Sequence, residues 1–244
     1  MAGEDRPDLH RVLLKVSGEV LAGPAGHGID PATLDSLAAA VMDLTAEGCA
    51  AGIVIGGGNF IRGEDLKVAG RITGDQMGML ATMMNGLALR DALRNRGGKA
   101  VVLSSIPVEG VFETFDPDRA VDYLDNRFIV IYSGGTGNPC LTTDTAAALR
   151  AVQTDCERLL KGTKVDGIYD ADPKRHPDAR RFNTISHDKV LKMGLRVMDA
   201  AAVAICRDAD LPISVFDILD PENIVAVYRD PSVGSLIGGI EDDR

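Results

Sequence analysis

Short runs of consecutive apolar residues recur along the chain, and stretches with helical spacing separate them. The runs are Arg11–Val16, Ala51–Ile55, Ala100–Leu103, Phe128–Tyr132, Arg158–Lys161, Ile213–Ile218 and Ser235–Ile237. Continuous rather than alternating hydrophobicity suits strands buried on both faces, as in a parallel sheet covered by helices. Asp30-Pro31 opens a helix as N-cap and first helical residue; Leu34, Leu37, Val41 and Leu44 recur on one face, and Gly48 ends it. Gly74-Asp75-Gln76-Met77 opens the most strongly patterned helix, whose Met77, Leu80, Met84 and Leu87 line one face and are expected in the core. Residues 107–117 read as a short hairpin or an extended loop, and a brief helix follows around Ala120–Leu124. An alanine-rich helix follows Asp144, Ser186 caps another through Met193, and further helices are expected over Val197–Arg207 and Pro221–Tyr228. The alternation predicts an α/β fold, a three-layer α/β/α sandwich with a mostly parallel central sheet. Met1–His10 reads as a polar lead-in and residues 11–244 as one domain without repeats or linkers.

In such sheets ligands bind beyond the carboxyl ends of the strands, and four predicted strands end in unusual chemistry. Lys15 interrupts an apolar strand just before Ser17-Gly18; it either reaches solvent from an edge strand or points its ammonium at the ligand edge. Gly56-Gly57-Gly58 follows the second strand and Arg62 comes shortly after. Bare backbone N–H groups and a guanidinium fork suit phosphate, although a tight strand-to-helix turn also accounts for the glycines. Ser133-Gly-Gly-Thr-Gly-Asn-Pro-Cys-Leu-Thr-Thr-Asp144 repeats that logic before a helix. Asp144 is either the helix cap or a counter-ion for a cation such as Lys15. Gly162–Pro173 is a polar loop carrying Tyr169 among acids, either a cover for a base or a surface hairpin. Asp75 is either a capping carboxylate or a contact to a ligand hydroxyl.

Composition narrows the classes. The net charge of −10 argues against a general nucleic-acid surface, but a local pocket of glycines and cations can still hold a small anion. Cys49, Cys140, Cys156 and Cys206 stand singly without metal-ligand spacing, which predicts a reducing compartment and no structural zinc. No apolar run reaches about 18 residues and no charged-then-apolar leader opens the chain, so neither a membrane span nor a signal peptide is expected and the protein is placed in the cytoplasm.

The Walker pattern GxxxxGK[ST] and the GxGxxG dinucleotide fingerprint are both absent. What the chain does carry, in order, is Leu13-Leu-Lys-Val-Ser-Gly-Glu19, Val54-Ile-Gly-Gly-Gly-Asn-Phe60 with Arg62, Gly74-Asp-Gln-Met-Gly-Met79, Gly135-Thr-Gly-Asn-Pro139 with Thr142-Thr-Asp144, and Lys161-Gly-Thr-Lys-Val-Asp-Gly167. This series resembles the bacterial uridylate kinase family of the amino acid kinase superfamily, collinear over nearly the whole chain. The resemblance implies transfer of the γ-phosphoryl group of Mg-ATP to UMP, giving UDP and ADP in pyrimidine nucleotide biosynthesis. Carried over by position, Lys15, Val16, Ser17, Gly18, Gly58 and Arg62 would contact the ATP phosphates, and Thr163, Tyr169 and Asp172 the adenosine. Gly57, Asp75, Thr136, Gly137, Asn138, Pro139, Cys140, Leu141, Thr142 and Thr143 would hold UMP, with Asp75 at the ribose. Lys15, Arg62, Asp144 and Lys161 would be the catalytic set, Asp144 orienting the lysines. Mg²⁺ would enter with ATP, without dedicated protein ligands. The resemblance also implies a homohexamer activated by GTP and inhibited by UTP, with Gly23, Pro24, Ala25, Gly26, His27 and Gly28 in the region of GTP regulation.

The chemistry is consistent with these residues. A UMP phosphate oxygen is already an anionic nucleophile, so catalysis reduces to alignment and charge neutralisation. Two departures from the family stand out: Cys140-Leu141 replaces residues that are often aromatic, and the segment from Gly70 to Gly74 is shorter than usual. The alternatives are a sister kinase acting on a small carboxylic acid and a catalytically silent nucleotide sensor.

Overall fold

The first strand carries both faces of the core. The computed structural model describes residues 11–61, 70–173, 175–176 and 178–238. The lead-in over residues 1–10 and Arg62 therefore lie outside the described residues. In β1 (Arg11–Val16), Val12, Leu14 and Val16 enter one hydrophobic cluster and Leu13 the other, so Lys15 shares the face of Leu13. The chain continues through α1 (Gly18–Leu21), α2 (Pro31–Ala46), β2 (Ala50–Ile55), α3 (Arg71–Asn95), β3 (Ala100–Ser104), β4 (Glu113–Thr114), α4 (Pro117–Asp125) and β5 (Ile129–Ser133). Then follow α5 (Thr143–Gln153), β6 (Arg158–Thr163), β7 (Ile168–Tyr169), β8 (Arg181–Phe182), β9 (Thr184–Ile185), α6 (His187–Met193), α7 (Ala200–Asp208), β10 (Ile213–Asp217), α8 (Asn223–Arg229) and β11 (Ser235–Ile237).

Nine of these strands form one sheet in the order β4-β3-β5-β2-β1-β6-β10-β11-β9. Neighbours run parallel except β10 and β11. Helices α2, α3 and α8 cover the face of Val12 and Leu14; α4, α5 and α7 cover the face of Leu13. The three-layer, mostly parallel arrangement expected from the sequence is what forms.

The local boundaries obey the capping chemistry. Asp30 accepts from Thr33 N at 2.8 Å, with Pro31 first in α2, and Ser186 and Asp199 cap α6 and α7 through their side chains. Several expectations need correction. Lys15 lies in an interior strand and is 6% exposed, so it does not reach solvent from an edge. Residues 107–117 make no hairpin; β4 pairs parallel with β3. Helix α3 begins at Arg71, so Asp75 lies inside it and is not its cap. Its methionine face is not core: Met77 (38%), Leu80 (53%) and Met84 (46%) are exposed, while Met79, Thr82, Asn85, Leu89 and Leu93 on the other side of the helix are buried. Where α3 crosses the glycine turns, Gly78 lies close to Gly57, and Asn85 and Thr82 bond the turns. These contacts set which side faces in, with Met79 and Met83 filling buried positions beside them.

Candidate active site

Parallel register places two lysines side by side. Lys15 of β1 stands opposite Lys161 of β6, on the face covered by α5, and each residue is 6% exposed. Two adjacent buried ammonium groups repel each other and are poorly solvated, so the arrangement requires a counter-charge. Asp144 in the first turn of α5 supplies it: its Oδ1 lies 2.7 Å from Lys15 Nζ and also accepts a hydrogen bond from Lys161 Nζ. Burial pushes the Asp144 carboxyl up, but the combined pull of the two ammonium groups outweighs it and the net shift is down. Burial, reinforced by the charge on Lys15, drives Lys161 down to about 8. An ammonium carries three donors; Asp144 engages one from each lysine, and the others are suited to anionic oxygens at the strand ends.

Asp144 is not the cap of α5. Thr142 is, accepting from Asp144 N at 3.0 Å while donating its hydroxyl to Asp199. Asp199 caps α7 and also accepts from Thr145 Oγ1 at 2.9 Å, so the N-termini of two helices are tied together beside the lysines. The Asp144 side chain is thereby left free for the ion pairs.

The glycine turn after β2 interlocks with the turn after β1. A Cβ built on Gly18 would lie 2.3 Å from Gly56 O, and one on Gly57 would lie 2.7 Å from Gly78 O of α3. Any side chain at either position would force backbone apart, which accounts for the glycines by close approach. Gly57 in turn lines a cavity of about 590 Å³ together with Asp75, Leu141, Thr142 and Thr143. Ile61, Gly70, Arg71, Gly74, Gly78, Met79, Thr82 and Gly135 complete the lining.

The expected UMP residues divide between lining and support. Thr136, Gly137, Asn138, Pro139 and Cys140 form the turn that presents Gly135 and Leu141: Gly137 N donates to Gly134 O at 3.0 Å, and Thr136 Oγ1 accepts from Asn138 N at 3.1 Å. Cys140 takes a left-handed backbone (φ 70°) and donates its N–H to Asp75 Oδ2 at 2.7 Å, which fastens the turn to α3. On the expected ATP side, Val16 and Ser17 lead into Gly18, and Gly58 lies against the Glu19 side chain. The loop after β6 does form a hairpin, β7 with β8, on which Tyr169 donates to Asp166 Oδ1 at 2.8 Å. Thr163 is turned to its own loop, donating to Val165 O at 2.6 Å, and Asp172 is exposed beside Arg175. The Gly23–Gly28 loop is anchored to the glycine turn, with Gly28 N donating to Asn59 O at 2.9 Å.

Sequence reasoning missed Arg71 and Thr82. Thr82 Oγ1 accepts from Gly134 N at 2.9 Å and Ser133 Oγ donates to Thr82 O at 3.3 Å, so α3 braces the second glycine turn as well as the first. The signal was the helical spacing of Gly78, Thr82 and Asn85, a small and polar stripe opposite the methionines.

Fold and site together define an α/β domain that gathers cations and bare amides for anions beyond the carboxyl ends of parallel strands. The chain belongs to the amino acid kinase family, whose model matches residues 10–217. Within that family it is similar to the uridylate kinase of Legionella pneumophila strain Paris, 46% identical over 99% of this chain and 100% of that protein. It is likewise similar to the uridylate kinase of Psychrobacter sp. strain PRwf-1, 45% identical over 96% of this chain and 98% of that one. Among solved structures, the UMP kinase of Bacillus anthracis superposes with a TM-score of 0.92 at 34% identity, covering 97% of both chains.

Proposed function

We infer that this protein is a uridylate kinase, transferring the γ-phosphoryl group of Mg-ATP to UMP within one domain over residues 11–244. The observation that carries the inference is the Asp144 carboxylate bridging Lys15 and Lys161 at the strand ends, beside the cavity that Gly57, Asp75 and Thr143 line. ATP phosphates lie against Lys15, Ser17, Gly18 and Gly58, with Thr163, Tyr169 and Asp172 toward the adenosine. UMP takes the cavity, its ribose at Asp75 and its phosphate near Gly57. Phosphoryl transfer between two anions needs alignment and neutralisation of charge on the transferring group, and the paired ammonium groups provide fixed positive charge there without reorganisation. Asp144 holds them in place and accepts no substrate proton. Mg²⁺ arrives as part of the ATP substrate; among the described residues no three His, Cys, Asp or Glu side chains gather to hold a metal ion.

The protein acts in the cytoplasm as a homohexamer, with GTP activating, UTP inhibiting and the Gly23–Gly28 loop taking part in the GTP response. Support for assembly is the exposed apolar face of α3, where Ile72 (49%) joins Met77, Leu80 and Met84. Among the described residues no helix is long and apolar enough to cross a membrane. The test follows ADP release from Mg-ATP with UMP, CMP, dUMP, AMP and N-acetylglutamate in parallel. Strong preference for UMP is expected. Turnover with the carboxylic acid alone would move the chain to a sister activity, and nucleotide binding without turnover would make it a sensor.

A further inference from the structure

Glycine turns admit a phosphate closely, but they surrender stiffness. Neither Gly56 nor Gly57 has a side chain to restrict its peptide plane, and glycine backbones sample far more conformations than others. A site that depends on preorganised amides needs the plane fixed from outside.

The fixing group is a buried amide pair. Asn85 on α3 and Asn59 just after the turn are 0% and 1% exposed. They bond reciprocally, Asn59 Nδ2 to Asn85 Oδ1 at 2.9 Å and Asn85 Nδ2 to Asn59 Oδ1 at 2.8 Å. Each amide nitrogen has a second proton. That of Asn85 goes to Gly56 O at 2.8 Å, and that of Asn59 to Gly28 O at 2.8 Å. Every donor on the two side chains is used. Because a trans peptide is planar, its C=O and the following N–H point in opposite directions in one plane. Holding Gly56 C=O toward Asn85 therefore aims Gly57 N–H away from Asn85.

We propose that Asn85, braced by Asn59, is a positioning residue: it locks the Gly56–Gly57 peptide plane so that Gly57 N–H is presented to the acceptor phosphate. Asn85 touches no substrate and acts through Gly57. Asn59 braces Asn85 through its Oδ1, an acceptor that an aspartate would keep, while its Nδ2 bonds Gly28 O and ties the neighbouring loop into the same unit. The proposal rests on the phosphoryl-transfer inference above, and the wild-type UMP assay separates the two. An inactive wild type would remove that inference, whereas an active wild type with an indifferent Asn85 would remove only this one.

The test compares two isosteric substitutions in the full chain. Asn85→Asp replaces the donor to Gly56 with an oxygen, while Asn59→Asp leaves the Asn85-to-Gly56 bond in place and removes an equal number of buried donors. The expected result is a loss of about 10²-fold in kcat/KM for UMP in Asn85→Asp, with KM for Mg-ATP within about threefold, and a loss no larger than about threefold in Asn59→Asp. Activity is expressed per folded molecule, with thermal melts run alongside. Equal losses in the two variants, or a folded Asn85→Asp with wild-type kcat/KM, would overturn the proposal, because a purely structural pair has no reason to favour one partner. If Asn85→Asp does not fold, Asn59→Asp alone decides. The proposal requires it to fold and stay near wild-type activity, and a tenfold or greater loss per folded molecule refutes it.

Discussion

Replacing Asp144 with asparagine keeps the shape of the site and removes its only counter-charge in the Lys15–Asp144–Lys161 cluster. The Thr142 cap of α5 is untouched, since it bonds the backbone of residue 144. The two lysine side chains are each 8% exposed and the Asp144 side chain 14%, so water cannot take over its role. Removing one partner of a buried pair costs about 3–5 kcal/mol. A ceiling comes from the lysines themselves: one can shed its proton, which from an ordinary value near 10.4 costs about 5 kcal/mol at pH 7. For a domain of this size the loss corresponds to a melting point lower by roughly 6–20 °C. The sign of the pH effect follows from proton counting. In the variant the folded state releases a lysine proton at a pH where the unfolded chain still holds it, so stability rises with pH and the gap to wild type narrows up to about pH 8, where wild-type Lys161 begins to release its own proton. Calorimetry or dye melts across that range, with UMP kinase assays at each pH, make the measurement. A variant melting with the wild type, or a gap independent of pH, would show that the cluster does not carry buried charge.

Three further outcomes follow from the geometry. Lys161, lowered to about 8 chiefly by burial, must be an ammonium to neutralise phosphate, so kcat/KM for Mg-ATP should fall as pH rises through that region; a flat profile to about pH 9.5 refutes the role. The fall in kcat should come at higher pH, because bound phosphates favour the charged form. Gly57→Ala places a Cβ 2.7 Å from Gly78 O and 2.8 Å from Ala81 Cβ, which should destabilise by about 1–3 kcal/mol and raise KM for UMP; an unchanged melt and KM would contradict the close packing. Leu80→Asp, at a residue 53% exposed, should leave the monomer fold intact and reduce the assembled mass seen by light scattering. An unaltered mass would free α3 from any part in assembly.

The layered fold was legible because its strands are buried on both faces and declare themselves as apolar runs. The lysine–carboxylate cluster was legible in part. Lys15, Asp144 and Lys161 were identifiable, but Lys15 viewed on its own strand suggested an edge, because register with β6 connects residues 146 apart and no local pattern reports it. Helix α3 defeated hydrophobic patterning for a different reason. Its buried side is the one whose Thr82 and Asn85 bond the glycine turns, so Met79 and Met83 go in beside them while Met77 and Met84 stay out. Asp75 was singled out from the sequence, yet its bond to Cys140 N depends on a left-handed residue outside any regular element and could not be read there.

The order of strands in the sheet also sets a timetable for synthesis. Among the described elements β1 is made first, yet it ends in the middle of the sheet, with β2 on one side and β6 on the other. Its β6 edge stays bare until roughly 150 more residues have been added, which at about 5–20 residues per second is on the order of ten to thirty seconds. During that interval an apolar ladder of unpaired amides is open to other chains, and Lys15 waits for both the carboxylate and the second ammonium that will fix it. The nascent chain is thus long exposed at the very strand that carries Lys15, and slowing the ribosome between β2 and β6 should make it a better client for chaperones.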